Sequence, residues 1–260
     1  MKILCWNVQG LGNPRAFRAL RNVVQNEKPL LIFLSETRID SRNANRIKCG
    51  LSFQCCFSVD RSGLGGGLML LWRDSVDVSV QSFTKGHIDS FVRGTDGSHW
   101  RFTGFYGDPN AACRSHSWSL LHRLAGLSNL PWLIGGDFNE ILKWEEKSGG
   151  LFRSQRAVSL FRGAVDDCNL VDVGFRGHDF TWSNRQLEPN LIQVRLDRYL
   201  CSMRWRALFP HAVNVHLDWG GSNHKPILME NIRVIPNRDS EVIRGRSRFH
   251  FEEAWIEESD

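Results

Sequence analysis

The stretch Trp132-Leu133-Ile134-Gly135-Gly136-Asp137-Phe138-Asn139-Glu140 reads as a short buried strand that runs into two glycines and then into polar residues. Polar side chains at the end of an apolar strand are what a site built at one edge of a sandwich needs, although a tight turn fits the glycines as well. Four other places repeat the pattern: Trp6-Asn7-Val8-Gln9-Gly10, Ser35-Glu36-Thr37, Gly104-Phe105-Tyr106-Gly107 and Ser222-Asn223-His224-Lys225-Pro226. A turn Asn, a strand-end Glu and a core Tyr are each common alone, so the weight falls on their joint order.

Around these anchors, short apolar strands alternate with amphipathic helical stretches and no repeat period appears, which gives an α/β or α+β class. Lys2 to Val8 reads as a buried strand. Asn13 then supplies an N-cap and Pro14 the first helical position, before Phe17, Leu20 and Val24 recur on one face of a helix that should end before Pro29. Leu30 to Leu34 is a second strand, and the basic run Arg38 to Lys48 holds a loop and short helix. Hairpins follow: Phe53 to Val59, a glycine turn at Gly63 to Gly67, Leu68 to Trp72, Val76 to Phe83, Ile88 to Val92, a turn at Asp96-Gly97, and Trp100 to Phe105. Ser115 to Leu127 and Ser154 to Cys168 read as helices; Gln193 to Leu200 and Ile227 to Ile232 read as strands. Two mostly antiparallel sheets packed face to face, with helices outside, satisfy this order. Beyond Pro236 the apolar rhythm fades into Arg244-Gly245-Arg246-Ser247-Arg248 and an acidic end, Glu252 to Asp260. The expected organisation is one domain over residues 1–235 and, over 236–260, a linker toward a further region.

At 260 residues, 42% hydrophobic and 23% charged, the chain can bury a full core, which excludes disordered, collagen-like and mucin-like classes. Lys plus Arg total 33 against 28 Asp plus Glu, a net charge of +5 that suits an anionic partner. No apolar run approaches the ~18 residues of a membrane span, and polar Asn7 and Gln9 interrupt any signal-peptide core. Seven cysteines without a C-x-x-C pair read as reduced thiols in a nuclear or cytoplasmic, not secreted, protein.

Taken with Thr181-Trp182-Ser183-Asn184 and Arg195-Leu196-Asp197-Arg198, the five anchors resemble the endonuclease/exonuclease/phosphatase superfamily, the DNase I-like fold, from Met1 to about Ile232. Trp6-Asn7-Val8-Gln9-Gly10-Leu11-Gly12, the Gly135 to Glu140 run, Arg195 to Leu200 and Phe249-His250-Phe251-Glu252-Glu253-Ala254-Trp255 resemble the apurinic-endonuclease-like domain of plant LINE-type, non-LTR retrotransposons. The resemblance implies a four-layer α/β/β/α sandwich, Mg²⁺ (or Mn²⁺) dependent hydrolysis of a DNA phosphodiester, and a reverse transcriptase domain as the polyprotein partner.

The residue types agree with that chemistry, which needs a divalent ion, an activated water and a donor for the developing charge. Glu36 offers a hard carboxylate for the metal with Asn7 beside it; a solvent-facing Glu is the plain alternative. Asp137 would activate the water and Asn139 would hold the phosphate or the water. Tyr106, one of two tyrosines, could donate to a phosphate oxygen or simply be a core residue. Asp197 resembles the family's second acidic position near the metal, and pairing with Arg195 also fits it. By the same resemblance, His224 faces the phosphate and Trp182 the DNA edge. Arg38, Arg42, Arg46 and Lys48, and likewise Arg198, Arg204 and Arg206, could grip backbone phosphate or be solvated helical faces. Gly63 to Gly67 lacks a following Lys-Ser/Thr and reads as a hairpin turn; His211 and His216 fall on opposite strand faces.

One departure stands out. Where the family has Ser-Asp-His, this chain reads Ser222-Asn223-His224, so the carboxylate expected to orient the imidazole is an amide. In a serine-protease triad such a change costs about 10⁴ in kcat. The expectation is therefore an impaired endonuclease in which Asn223→Asp raises nicking. A catalytically inactive DNA-binding remnant, or a phosphatase acting on a small phosphate ester, are the alternatives.

Overall fold

The computed structural model describes residues 1–63, 65–94, 97–218 and 220–230. The expected linker at 236–260, the Phe249 to Trp255 phrase, the last two positions of the Ile227 to Ile232 strand, Asp96 of the expected turn and Leu64 of the glycine turn lie outside the described residues.

The opening strand β1 (Lys2–Asn7) is almost wholly buried and is followed by α1 (Pro14–Glu27). Asn13 accepts from the Arg15 N–H and Pro14 occupies the first turn, where its missing N–H is not needed. Ala16, Leu20 and Val24 face inward, and Lys28 closes the helix in a left-handed conformation. Next come β2 (Leu31–Ser35), α2 (Ala44–Gly50), β3 (Cys55–Ser62) and β4 (Gly65–Trp72). The hairpin region continues as β5 (Asp77–Thr84), β6 (His87–Arg93) and β7 (His99–Tyr106). After α3 (Arg114–Ala125) come β8 (Trp132–Asp137), β9 (Lys147–Ser148), α4 (Gln155–Asp167), β10 (Leu170–Asp172), β11 (Arg176–Gly177) and β12 (Trp182–Ser183). The last described elements are β13 (Gln193–Val194), β14 (Asp197–Ser202), α5 (Met203–Leu208), β15 (Val213–His216) and β16 (Ile227–Glu230).

Two large sheets result, with strand orders β11-β15-β16-β1-β2-β4-β3 and β10-β14-β8-β7-β6-β5, plus a small β12-β13-β9 sheet. Most pairings are antiparallel as expected; β1/β2, β7/β8 and β11/β15 are parallel, so both large sheets are mixed. Between them lies a core that includes Ile3, Cys5, Phe33, Leu70, Phe102, Leu133 and Tyr199. A second cluster joins β1, β2 and β4 to α1 and α2, and a third joins the other sheet to α3 and α4, which completes the helix–sheet–sheet–helix order. The two sheets approach closely at Gly135, where an added Cβ would lie 2.3 Å from the Tyr199 ring and 2.9 Å from Cys5 Sγ. Tyr199 donates its hydroxyl to the Ile3 carbonyl at 2.8 Å, a tie from one sheet to the other.

The expected single strand Gln193 to Leu200 is two strands in different sheets. Arg195 and Leu196 turn the chain, because the N–H groups of Leu196 and Asp197 are both drawn to Thr181 Oγ1 at 3.0 Å and not to a neighbouring strand. No helix among the described residues is long and apolar enough to cross a membrane.

Candidate active site

The anchors meet because the registers bring them together. In the first large sheet Asn7 stands opposite Ser35 at the carboxyl ends of the parallel pair β1/β2. In the second, Tyr106 stands opposite Asp137 at the ends of β7/β8, and Asp137 stands opposite Asp197. The loops that leave these ends are tied to each other, with Gly10 N–H donating to the Glu36 carbonyl at 2.8 Å and Gly107 N–H to the Asp137 carbonyl at 2.8 Å.

Asp137 is 1% exposed and accepts three hydrogen bonds: from Asn7 Nδ2 at 3.0 Å, from Asn139 N–H at 2.9 Å and from Asn139 Nδ2 at 3.2 Å. Burial raises its pKa to about 6; nearby His224, Asn7 and Asn139 hold it down while Asp197 pushes it up. A carboxylate poised there suits a general base near neutral pH. Asn139 also donates Nδ2 to the Gly107 carbonyl at 2.9 Å, so its amide nitrogen holds both Asp137 and the loop.

His224 is buried with its Nδ1 at 2.9 Å from Asp197 Oδ2 and its Nε2 at 3.8 Å from Asp137 Oδ2. Burial opposes the imidazolium more than any other single influence, yet Asp197 and Asp137 together outweigh it and raise the His224 pKa. The backbone around it is pinned: Ser222 Oγ donates to the Asn7 carbonyl at 2.7 Å and accepts from the His224 N–H at 3.1 Å, and Trp6 Nε1 donates to the His224 carbonyl at 2.9 Å. Thr181, Ser222 and Trp6 take positioning roles that no local sequence signal marks, because each bonds a residue distant in the chain.

The partner that orients the imidazole is Asp197, 27 residues earlier in the chain, and not residue 223, whose backbone instead spans Gln9 and Ser183. The Asn223 amide therefore removes no charge from the hydrogen bond that orients the ring. Asp197 in turn holds the His224 ring through its Oδ2, and Asp137, Asp197 and His224 offer donor atoms within 4.8 Å of one another. Nor does Asp197 pair with Arg195, which binds Glu146 and Asp172 at 2.8 and 2.9 Å. Arg198 cannot grip DNA, since it is fully buried and fixed to Glu146 and Asp172 at 2.8 and 2.9 Å; strand alternation sends it to the face opposite Asp197.

Glu36 sits just beyond β2 with a left-handed backbone, φ 52°. Its side chain is 13% exposed and accepts from the Tyr106 hydroxyl at 2.7 Å, the Gly66 N–H at 3.0 Å and Arg38 Nε at 3.1 Å. A carboxylate has about four acceptor positions, so three donors leave room for a ligand. The Tyr106 hydroxyl thus belongs to Glu36, and burial, followed by Asp137 and Glu36, holds its pKa far above the usual phenol value. A cavity of about 490 Å³ opens beside Glu36 and Tyr106, bordered also by Lys85, His116 and Arg123. Hard oxygen donors at Glu36 and Asn7 suit a divalent cation, and Asn223 Oδ1 is a buried acceptor with no partner among the described residues. Trp182 is half-buried, pairs with Val194 and bridges to His224, so it lines the site from β12. Arg204 and Arg206 are tied to the carbonyls of Asn129 and Ala212.

Known proteins share this fold. The endonuclease domain of TRAS1, a telomere-specific non-LTR retrotransposon, superposes with a TM-score of 0.66 at 17% identity, covering 90% of this chain and 99% of that one. An AP endonuclease from Leishmania major gives 0.67 at 19% identity over 88% and 86% of the two chains. A 3′ phosphatase, NExo from Neisseria, solved with product DNA hairpin, gives 0.65 at 18% identity over 90% and 100%. No curated protein sequence matches the chain. The model of the Endonuclease/Exonuclease/phosphatase family matches residues 4–219, most of the chain and every anchor before Ser222, and the chain belongs to that family.

Proposed function

We propose that the chain is a metal-dependent endonuclease that hydrolyses a DNA phosphodiester. The observation that carries this reading is the buried Asp197–His224–Asp137 array, in which one ring nitrogen is held by a carboxylate and the other faces a second carboxylate of raised pKa. Glu36 and Asn7 would hold Mg²⁺ or Mn²⁺, which when bound neutralises phosphate charge and makes attack by water easier. Asp137, fixed by Asn7 and Asn139, accepts a proton from the attacking water. As the water oxygen bonds to phosphorus and the bond from phosphorus to the 3′ oxygen breaks, His224 donates a hydrogen bond from Nε2 to the phosphate, and the departing 3′ oxygen takes its proton from solvent water. Asp197 keeps the ring in the one tautomer or the charged form that makes this possible. Tyr106 orients the Glu36 carboxylate.

The product is a nick with a free 3′ hydroxyl. The phrases that resemble LINE-type retrotransposons support its use as a primer at target DNA, with a reverse transcriptase domain in the same polyprotein and residues 1–235 as the nuclease domain. The net charge of +5 supports an anionic substrate. A supercoiled-plasmid nicking assay with Mg²⁺ on the parent, Glu36→Ala and His224→Ala tests the reading. The parent should nick and both variants should lose about 10² or more in rate; a parent that leaves the plasmid closed, or a His224→Ala variant as fast as the parent, overturns it.

A further inference from the structure

A second concave surface lies between α1 and α2, a groove of about 530 Å³ with Leu11, Phe17 and Ile47 on its floor and Arg18, Arg21 and Arg46 at its rim. No carboxylate lines it. From this groove we infer that the protein holds the sugar-phosphate backbone of duplex DNA on one flank of the cleaved bond; the inference rests on the endonuclease reading and extends it.

The charge is uncompensated. Arg15, Arg18 and Arg21 recur every three residues on exposed positions of α1, and Arg42 and Arg46 are exposed on the facing segment. None of these five side chains makes a hydrogen bond or ion pair among the described residues. The positions four residues onward from the α1 arginines are Ala19, Asn22 and Gln25, so no acidic partner sits one turn away. The nearby acids are engaged elsewhere, Glu27 with Lys2, Asp40 with Arg61 and Asp60 with the Ser41 N–H. Like charges at this helical spacing destabilise a helix, and a merely solvated face intersperses the two signs. All five cations are arginines, whose planar fork matches phosphate oxygens in pairs.

The groove also starts close to the site along the chain. It begins at Leu11 and Ile39, on the two loops that carry Asn7 and Glu36 and are joined by the Leu11 N–H to Thr37 carbonyl bond at 2.9 Å. Gly12 is five residues beyond Asn7, at most about 17 Å of extended chain. That is roughly half a turn of duplex at 3.4 Å per base pair, within reach of one short duplex held at the site.

The test is fluorescence anisotropy of a labelled duplex across a salt series in Ca²⁺, with the parent, the Arg18→Gln/Arg21→Gln/Arg46→Gln variant and the corresponding triple Lys variant. Loss of three phosphate contacts should shallow the log K against log salt slope by about 2 to 3 for the Gln variant. The Lys variant should keep most of the slope. A Gln variant with an unchanged slope overturns the inference while leaving the endonuclease reading intact, provided the parent binds and nicks. A parent with no salt-dependent DNA binding defeats both. Binding of a Glu-rich peptide that is lost in the Gln variant while the DNA slope stays unchanged assigns the groove to an acidic protein partner and also overturns it.

Discussion

Replacing Asp197 by Asn removes one charge from a contact in which both partners are buried, Asp197 at 1% and His224 at 4% exposure, and 2.9 Å apart. The amide oxygen can still accept from Nδ1, so ring orientation survives in part. What is lost is the largest of the carboxylate influences that raise the His224 pKa against burial. Without it the imidazolium is disfavoured, and the donor facing the phosphate is neutral or in the wrong tautomer. Removing one preorganised donor of this kind costs about 10² to 10³ in rate, and the equivalent change in a serine-protease triad about 10⁴. A loss of about 10² to 10⁴ is therefore expected, roughly 3 to 5 kcal/mol of transition-state stabilisation. Asn223→Asp is the control: the imidazole already has its carboxylate, so nicking should change by less than about tenfold. Single-turnover nicking of plasmid at saturating Mg²⁺ measures both, with circular dichroism to show that each variant folds. The reasoning fails if Asp197→Asn nicks within threefold of the parent, or if Asn223→Asp accelerates the parent a hundredfold.

Arg198→Ala should destabilise the fold by about 3 to 5 kcal/mol in urea unfolding, because it leaves Glu146 and Asp172 buried without their fork. Acid should attack the same cluster: burial works against the Asp172 carboxylate, but Arg198 and Arg195 hold its pKa down to about 2 from 3.8. The stability from this depressed pKa is fully present above about pH 4 and is lost as pH falls toward 2, about 2 kcal/mol, so unfolding of Asp172→Asn should be less steep over that window. Gly136→Ala should fold poorly or not at all, since the backbone is at φ 143° and the new Cβ would lie 2.1 Å from the Phe105 carbonyl oxygen, which belongs to the paired strand and cannot move aside; expression yield and melting temperature report it.

The local signals were the readable ones. Asn13-Pro14 marks the start of α1 because capping is a matter between neighbours, and the apolar runs of β1, β2 and β8 announce themselves by composition. The site residues Asn7, Glu36, Tyr106, Asp137 and His224 could be picked out because each is a polar residue at or close to one end of an apolar strand. Their pairings could not. Asn223 is adjacent to His224 in the chain, yet the ring extends from the end of one sheet to the other, where its Nδ1 meets Asp197 of β14. Arg198 looked like a surface cation because its acidic partners, Glu146 and Asp172, are scattered 52 and 26 residues away. The split of β13 from β14 is invisible for a similar reason, as it depends on the hydroxyl of Thr181 taking two N–H groups that a continuous strand would have paired elsewhere.

The placement of the site follows from how parallel strands end. The chains that leave the carboxyl ends of β1 and β2, and of β7 and β8, stay joined by backbone hydrogen bonds and hold their polar side chains at the sheet edge. Here each large sheet contributes one such pair, β1/β2 and β7/β8, and the sandwich sets their ends against each other. Just past three of those four ends the chain enters the left-handed region at a residue other than glycine: Gln9 at φ 50°, Glu36 at φ 52° and Asn139 at φ 56°. Such residues are uncommon and cost free energy, so they persist where surrounding bonds fix them. Those bonds are present: Gly10 N–H to the Glu36 carbonyl, Asn139 N–H to Asp137, and Asn223 N–H to the Gln9 side chain. The left-handed step turns the chain sharply enough to bring the Glu36 carboxylate and the Asn139 amide back over the edge they have just left. A glycine would turn there with less strain but would bring no side chain; the strain is the consequence of placing a functional group and a reversal at one position.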